Sequence, residues 1–191
     1  MAKKLAATVL ALGVLVALMS MSALALFTDT ASVPSNAFTT GTVDISTSPT
    51  SALVTFSDMA PGDTTTQSLV VTNGGTLALR YAISGTATNT DSKGLKDQLV
   101  LTIKTIDVTT PATPCDNFDG TQLYTGDLDS TVGKLVGDSA QGADTGDRPL
   151  AASASETLCF RVNLPTATGN AFQNATTTGT FTFDAEQTVN N

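Results

Sequence analysis

The sequence predicts an all-β fold, an antiparallel β-sandwich. Three observations carry that expectation. Thr is abundant and comes with Val, Ile, Phe, Gly and Asn, a mixture that favours strands and turns over helices. Apolar residues alternate with polar ones over short runs, the period of a strand with one buried face. Turn-forming residues separate these runs at regular spacing, the pattern of a sandwich.

The elements follow in order. Val43 with Ile45, and then SALVTF from Ser51 to Phe56, give two early strands. Leu69 and Val71 alternate within QSLVVTN, and Leu77, Leu79, Tyr81 and Ile83 within TLALRYAIS. Pro61-Gly62-Asp63 and Asn73-Gly74-Gly75 mark the turns around these strands. Helical spacing is confined to Ser92 through Leu99. LVLTIKTIDV, Leu99 to Val108, is a long strand with a mixed face. Leu158, Phe160, Val162 and Leu164 alternate strictly, and Pro165 ends the run. Phe181 and Phe183 alternate near the end. GDSAQGADTGD, Gly137 to Asp147, has no apolar anchor and is expected to be an exposed, mobile loop.

Residues 1–25 fit a secretory signal peptide. Lys3 and Lys4 precede the apolar run LAATVLALGVLVALM, and Ala23-Leu24-Ala25 is a small-x-small cleavage site set by Ala23 and Ala25. An uncleaved anchor is the rival reading, opposed by Ser20 and Ser22 and by the lack of a following positive charge. Residues 26–191 then form a single domain, long enough to bury a core. Lys3 and Lys4 are two of the nine basic residues. The seven that remain, against 17 acidic ones, give the processed chain a net charge of −10. Such a chain does not bind nucleic acid through its overall charge. Secretion to the extracellular matrix or cell surface is expected. The ending FTFDAEQTVNN carries no sortase-type signal, so an accessory matrix protein is the expected anchor.

Cys115 and Cys159 are the two cysteines, 44 positions apart. In an exported chain they are expected to pair. The chain-entropy model values a loop of that size at about 4 kcal/mol. A two-cysteine metal site is the alternative, and it has no histidine to complete it.

The chain has no histidine, which excludes a Ser-His-Asp triad, a Cys-His pair and HExxH-type zinc motifs. Glu156 and Glu186 are the only glutamates, and nothing in the sequence brings them together. They are expected to be a turn residue and a strand-end residue. Asp116, Asp119, Asp127 and Asp129 form the densest acidic cluster. Oxygen-rich loops of this kind can bind calcium, but the spacing is not that of an EF-hand and Asp-Gly pairs are ordinary turn formers. Asn174-Ala175-Thr176 is a glycosylation sequon. No catalytic residue, cofactor or metal ligand is assigned, and the chain is not expected to be an enzyme.

The opening of the processed chain, LFTDTASVPSNAF, is extended in character, with Phe27, Ala31, Val33 and Phe38 as spaced apolar anchors on a polar ribbon. Pro34 limits regular pairing near its middle. From the residues alone two readings stand. The segment closes its own sheet, or it is given as an extra strand to a neighbouring molecule.

FTDTASV, FTTGTVDIS, MAPGDTTTQSLVVTNGGTLALRYAIS, LYTGDL and the ending LPTATGNAFQNATTTGTFTFDAEQTVNN resemble the TasA/camelysin family. The resemblance covers nearly the whole chain, apart from about Thr86 to Thr113 and the Gly137–Asp147 loop. It implies a jelly-roll-like β-sandwich, processed by a SipW-type signal peptidase. It also implies a secreted subunit that polymerises with itself into biofilm matrix fibres by donor-strand complementation. Residues 26–45 would be the donor strand, anchored by Phe27, Ala31, Val33 and Phe38. The camelysin branch implies the alternative, a surface metalloendopeptidase, whose zinc here would have to rest on Asp, Glu or Cys alone.

Overall fold

The computed structural model describes residues 37, 39–51, 53 and 58–189. The chain divides into two units, Met1–Thr39 and Thr40–Asn191, and the account below concerns the second. The expected signal peptide, its Ala23 and Ala25, the four anchors Phe27, Ala31, Val33 and Phe38, and most of SALVTF lie outside the described residues.

Nine strands are described: β1 (Ile45–Ser48), β2 (Thr64–Asn73), β3 (Leu79–Ala87), β4 (Val100–Thr105), β5 (Gln122–Gly126), β6 (Lys134–Val136), β7 (Arg148–Leu150), β8 (Ser155–Asn163) and β9 (Gly179–Gln187). The fold is all-β, and every pairing is antiparallel. Sheet A has the order β1-β2-β8-β4-β5. Sheet B is built around β3, with β9 along one side and β7 and β6 in tandem along the other. Among the described residues no helix is long and apolar enough to cross a membrane. The helical spacing over Ser92–Leu99 yields only a 3₁₀ turn, Leu95–Asp97, entered through Gly94 at φ 72°.

The alternation in the sequence decides which side chains meet between the sheets. Leu69 and Val71 of β2, Leu158, Phe160 and Val162 of β8, and Leu101 and Ile103 of β4 face the core from sheet A. Leu79, Tyr81 and Ile83 of β3 meet them from sheet B, joined by Phe181, Phe183 and Ala185 of β9. The Phe160 and Phe181 rings lie 5.3 Å apart and the Tyr81 and Phe183 rings 6.2 Å apart, both tilted, within the favourable range for aromatic pairs.

Both sheets carry a cover on the face turned away from the core. Cys159 lies on that face of β8 and is fully buried, because its disulfide to Cys115 brings the 107–120 segment over the sheet. In that segment Phe118 lies under two cations, 3.7 Å from the Arg161 guanidinium and 4.8 Å from Lys104 Nζ. Asp107, 1 % exposed, organises the turn by accepting the N–H groups of Asn117 (2.7 Å) and Asp119 (3.1 Å).

The Gly137–Asp147 loop lies over sheet B and is, as expected, exposed along most of its length. The loop lacks apolar anchors but is held by polar ones. The Asp147 carboxylate accepts the N–H groups of Asp138 (3.0 Å) and Asp144 (2.9 Å), closing the loop on itself. Gly142 donates its N–H to Glu186 of β9 and accepts from Arg80 Nε of β3 at 2.9 Å. Arg80 and Ala82 are thereby buried on the outer face of their strand.

The Asn73-Gly74-Gly75 turn is also a tie point. Asn73 is fully buried; its Nδ2 donates to the carbonyls of Leu77 and Ala151, and its Oδ1 accepts the Gly75 N–H. A Cβ on Gly75 would come within 2.4 Å of the Thr42 carbonyl oxygen, so the segment entering β1 crosses where only glycine leaves room.

Candidate functional site

The pairing of β9 with β3 fixes where the β9 backbone groups point. Thr188 N–H donates to the Ala78 carbonyl, and Thr88 N–H to the Thr178 carbonyl, in a register that runs unbroken from Leu79–Gln187 to Ala87–Gly179. Even-numbered β9 residues are therefore the hydrogen-bonded partners of β3. The odd-numbered residues Phe181, Phe183 and Ala185 turn their N–H and C=O groups to the opposite side. Among the described residues no strand lies there. Their side chains face the core and stay half-buried. Among the described residues this edge has no strand partner, and its inner face carries half-buried apolar side chains.

A second edge, beyond β1, also has no strand partner among the described residues and differs in character. Asn73 N–H donates to the Ala154 carbonyl, so odd-numbered β2 residues bond β8, while β1 covers only Val70–Asn73 on the other side. Thr64, Thr66 and Ser68 leave their backbone groups directed outward beyond the end of β1. The side chains there are polar, and a gap of about 340 Å³ lies between Thr66–Ser68 and the Pro114–Asp116 turn. It lacks the apolar lining of the β9 edge.

The carboxylates are spread over separate structural tasks. Glu156, on β8, bridges the sheets, accepting the Tyr81 hydroxyl at 2.7 Å and pairing with Arg148 of β7. Burial, reinforced by the Glu156 hydrogen bond, pushes the Tyr81 phenol well above the ordinary tyrosine range. The same carboxylate raises Arg148. Glu186, on β9, pairs with Arg80 at 2.5 Å. The expectation of a turn residue and a strand-end residue is corrected for Glu156, which lies within β8 at the inter-sheet contact.

The acidic cluster does not converge. Asp119 accepts the Thr109 hydroxyl and the Val108 N–H, and the Thr109 bond first of all holds its carboxyl below the usual range. Asp129 pairs with Lys96 at 2.9 Å. Asp127 uses its backbone carbonyl to receive the Tyr124 hydroxyl, and Asp116 sits in the turn beside the disulfide. Asn174, in the sequon, is exposed at φ 54°.

A family model described as camelysin metallo-endopeptidase matches residues 1–191. The chain belongs to that family. No curated protein matches it. The description of the camelysin family implies a catalytic metal, and the side chains of this member do not fit one. It has no histidine, and among the described residues no group of three or more Cys, Asp or Glu side chains could hold an ion. Outside the described residues the sequence supplies one acidic side chain, Asp29. No hydrolytic step can be derived from these residues.

The features that organise this camelysin-family chain were hard to single out from sequence. Asp107, Arg80 and Asn73 each stand in a run that reads as ordinary strand or turn. One weak signal exists for Arg80: it interrupts the apolar alternation of TLALRYAIS as its only charge.

Proposed function

We propose that this protein is a secreted, non-enzymatic structural subunit of extracellular matrix fibres, and that it polymerises by giving its N-terminal segment to the next molecule. The observation that carries the proposal is the β9 edge. A strand with three outward-directed backbone sites and half-buried aromatic side chains suits the addition of an extended, one-face-apolar segment. In the 26–38 segment Phe27, Ala31 and Val33 share one face of an extended chain, while Phe38, the fourth anchor, is even-numbered and lies beyond Pro34. Family membership and the leader pattern support export, with a SipW-type signal peptidase as processing partner and an accessory matrix protein as anchor.

A peptide of residues 26–38 tests the acceptor half of this proposal. A chain beginning at Thr39 is expected to bind it saturably and to gain thermal stability in proportion to occupancy. No binding would remove the proposal's main support.

A second reading, a surface metalloendopeptidase, is favoured by the family's description. It requires casein cleavage that a chelator abolishes, and the fibre reading expects none.

A further inference from the structure

The Cys115–Cys159 disulfide joins two sulfurs in unlike surroundings. Cys159 is fully buried on the outer face of β8, beneath the 107–120 segment. Cys115 is half-buried within that segment and lines the gap of about 340 Å³ together with Thr66, Gln67, Ser68, Pro114 and Asp116. Cys159 does not line it. A gap of this volume falls within the range of small-ligand sites. An attacking thiolate must reach the sulfur that it bonds, so the accessible entry is Cys115.

The other sulfur is placed to leave. Exchange is faster when the departing thiol is more acidic, and a thiolate is stabilised beside Lys or Arg. Lys104 of β4 is the direct partner of Cys159 in the antiparallel β4–β8 ladder, so the two side chains are neighbours on the outer face. Arg161, two residues along β8, shares that face. Arg161 also feels the Asp107 carboxylate, which leaves Lys104 as the cation to test. The cover does not depend on the disulfide alone. Phe118 lies against both cations, and Lys104 Nζ donates to the Phe118 carbonyl at 2.9 Å. Asp107 holds the turn through the Asn117 and Asp119 N–H groups. A cleaved bridge therefore keeps its two sulfurs close together.

We propose that this bridge is a site of reversible exchange with a small thiol, entered at Cys115 and released at Cys159. The incoming thiolate bonds Cys115 Sγ. The Cys115–Cys159 bond breaks, and its electron pair leaves on Cys159 Sγ as a thiolate beside Lys104. The product is a mixed disulfide on Cys115. One disulfide is consumed and one is formed, so no further oxidant or reductant is required. Return attack by the Cys159 thiolate on Cys115 Sγ expels the small thiolate and restores the bridge. The inference does not rest on the fibre reading.

The test treats the oxidised protein, expressed from the full-length chain, with 2-mercaptoethanol for short times. Acid quenching, N-ethylmaleimide labelling in denaturant and peptide mass spectrometry then locate the adduct. The mercaptoethanol adduct is expected on Cys115 at least tenfold over Cys159, with the maleimide on Cys159. Equal adducts, or an excess on Cys159, would overturn the direction of exchange. A bridge that opens only in denaturant would overturn the site. This mapping needs no variant. Lys104→Gln should slow the cleavage about threefold or more, and Lys104→Arg should restore it. A faster Lys104→Gln would show that the lysine only holds the cover down, and an unchanged rate would remove it from the leaving step. Either result would overturn the stabilised departure of Cys159.

Discussion

Phe181 of β9 packs its ring 5.3 Å from Phe160 of β8, yet its own backbone N–H and C=O face away from the sheet to which it belongs. One residue thus belongs to the core through its side chain and, through its backbone, to an edge with no partner among the described residues. Phe181→Ala should cost about 2–3 kcal/mol in a denaturant titration, below the cost at a fully buried Phe because the site is half-buried. It should also weaken the 26–38 peptide at least tenfold. Unchanged peptide affinity would place the acceptor surface elsewhere.

The contact of Tyr81 with Glu156 predicts an alkaline limit. A phenol whose folded-state pKa is raised contributes stability that is fully present below the unfolded value, about 10, and is lost as pH rises beyond it. Burial also raises Tyr124, the other tyrosine of the chain. Tyrosinate absorbance should therefore appear only together with loss of the β-sheet circular dichroism signal. A titration near pH 10 in a chain that remains folded would contradict the contact.

Asp119 gives the opposite sign. Its folded-state pKa is lowered by the Thr109 hydroxyl and by the Val108 and Thr109 N–H groups, so its support of the 107–120 turn is full above about pH 4 and is lost as pH falls. The amide resonances of Val108 and Thr109 should shift with a midpoint below that of an ordinary Asp. A midpoint at or above pH 4 would count against these bonds.

Asn73→Ala should destabilise the fold by on the order of 3 kcal/mol, because it removes the donor to the carbonyls of Leu77, Leu150 and Ala151 and leaves the buried Gly75 N–H unpaired. Asn73→Asp keeps the acceptor for Gly75 but loses the donors, and it should be no milder. Denaturant titration of both variants checks this. A cost within 0.5 kcal/mol, roughly that of a surface substitution, would mean the turn holds without the side chain.

How far the sequence could be read depends on the physics of each part. The strict alternation of Leu158, Phe160 and Val162 and the paired Phe181 and Phe183 declared β8 and β9, since one apolar face against a core is a local pattern. Three short strands, β5, β6 and β7, are not legible in the sequence. β6 and β7 have three residues each and are held by pairing with β3, a contact distant in sequence. β4 ends at Thr105, before Ile106 and Val108, because Asp107 turns inward to bind the backbone of Asn117 and Asp119. The Gly137–Asp147 loop looked unanchored because its anchors are an ion pair and backbone bonds, which leave no periodicity. The open edge itself was not legible, because which backbone groups lack a partner is a property of topology alone.

Negative-stain microscopy of the processed chain, Leu26 to Asn191, beside a chain beginning at Thr39 tests the fibre proposal most directly. The proposal predicts filaments from the longer chain and monomers from the shorter. Filaments from both, or monomers from both, would contradict it.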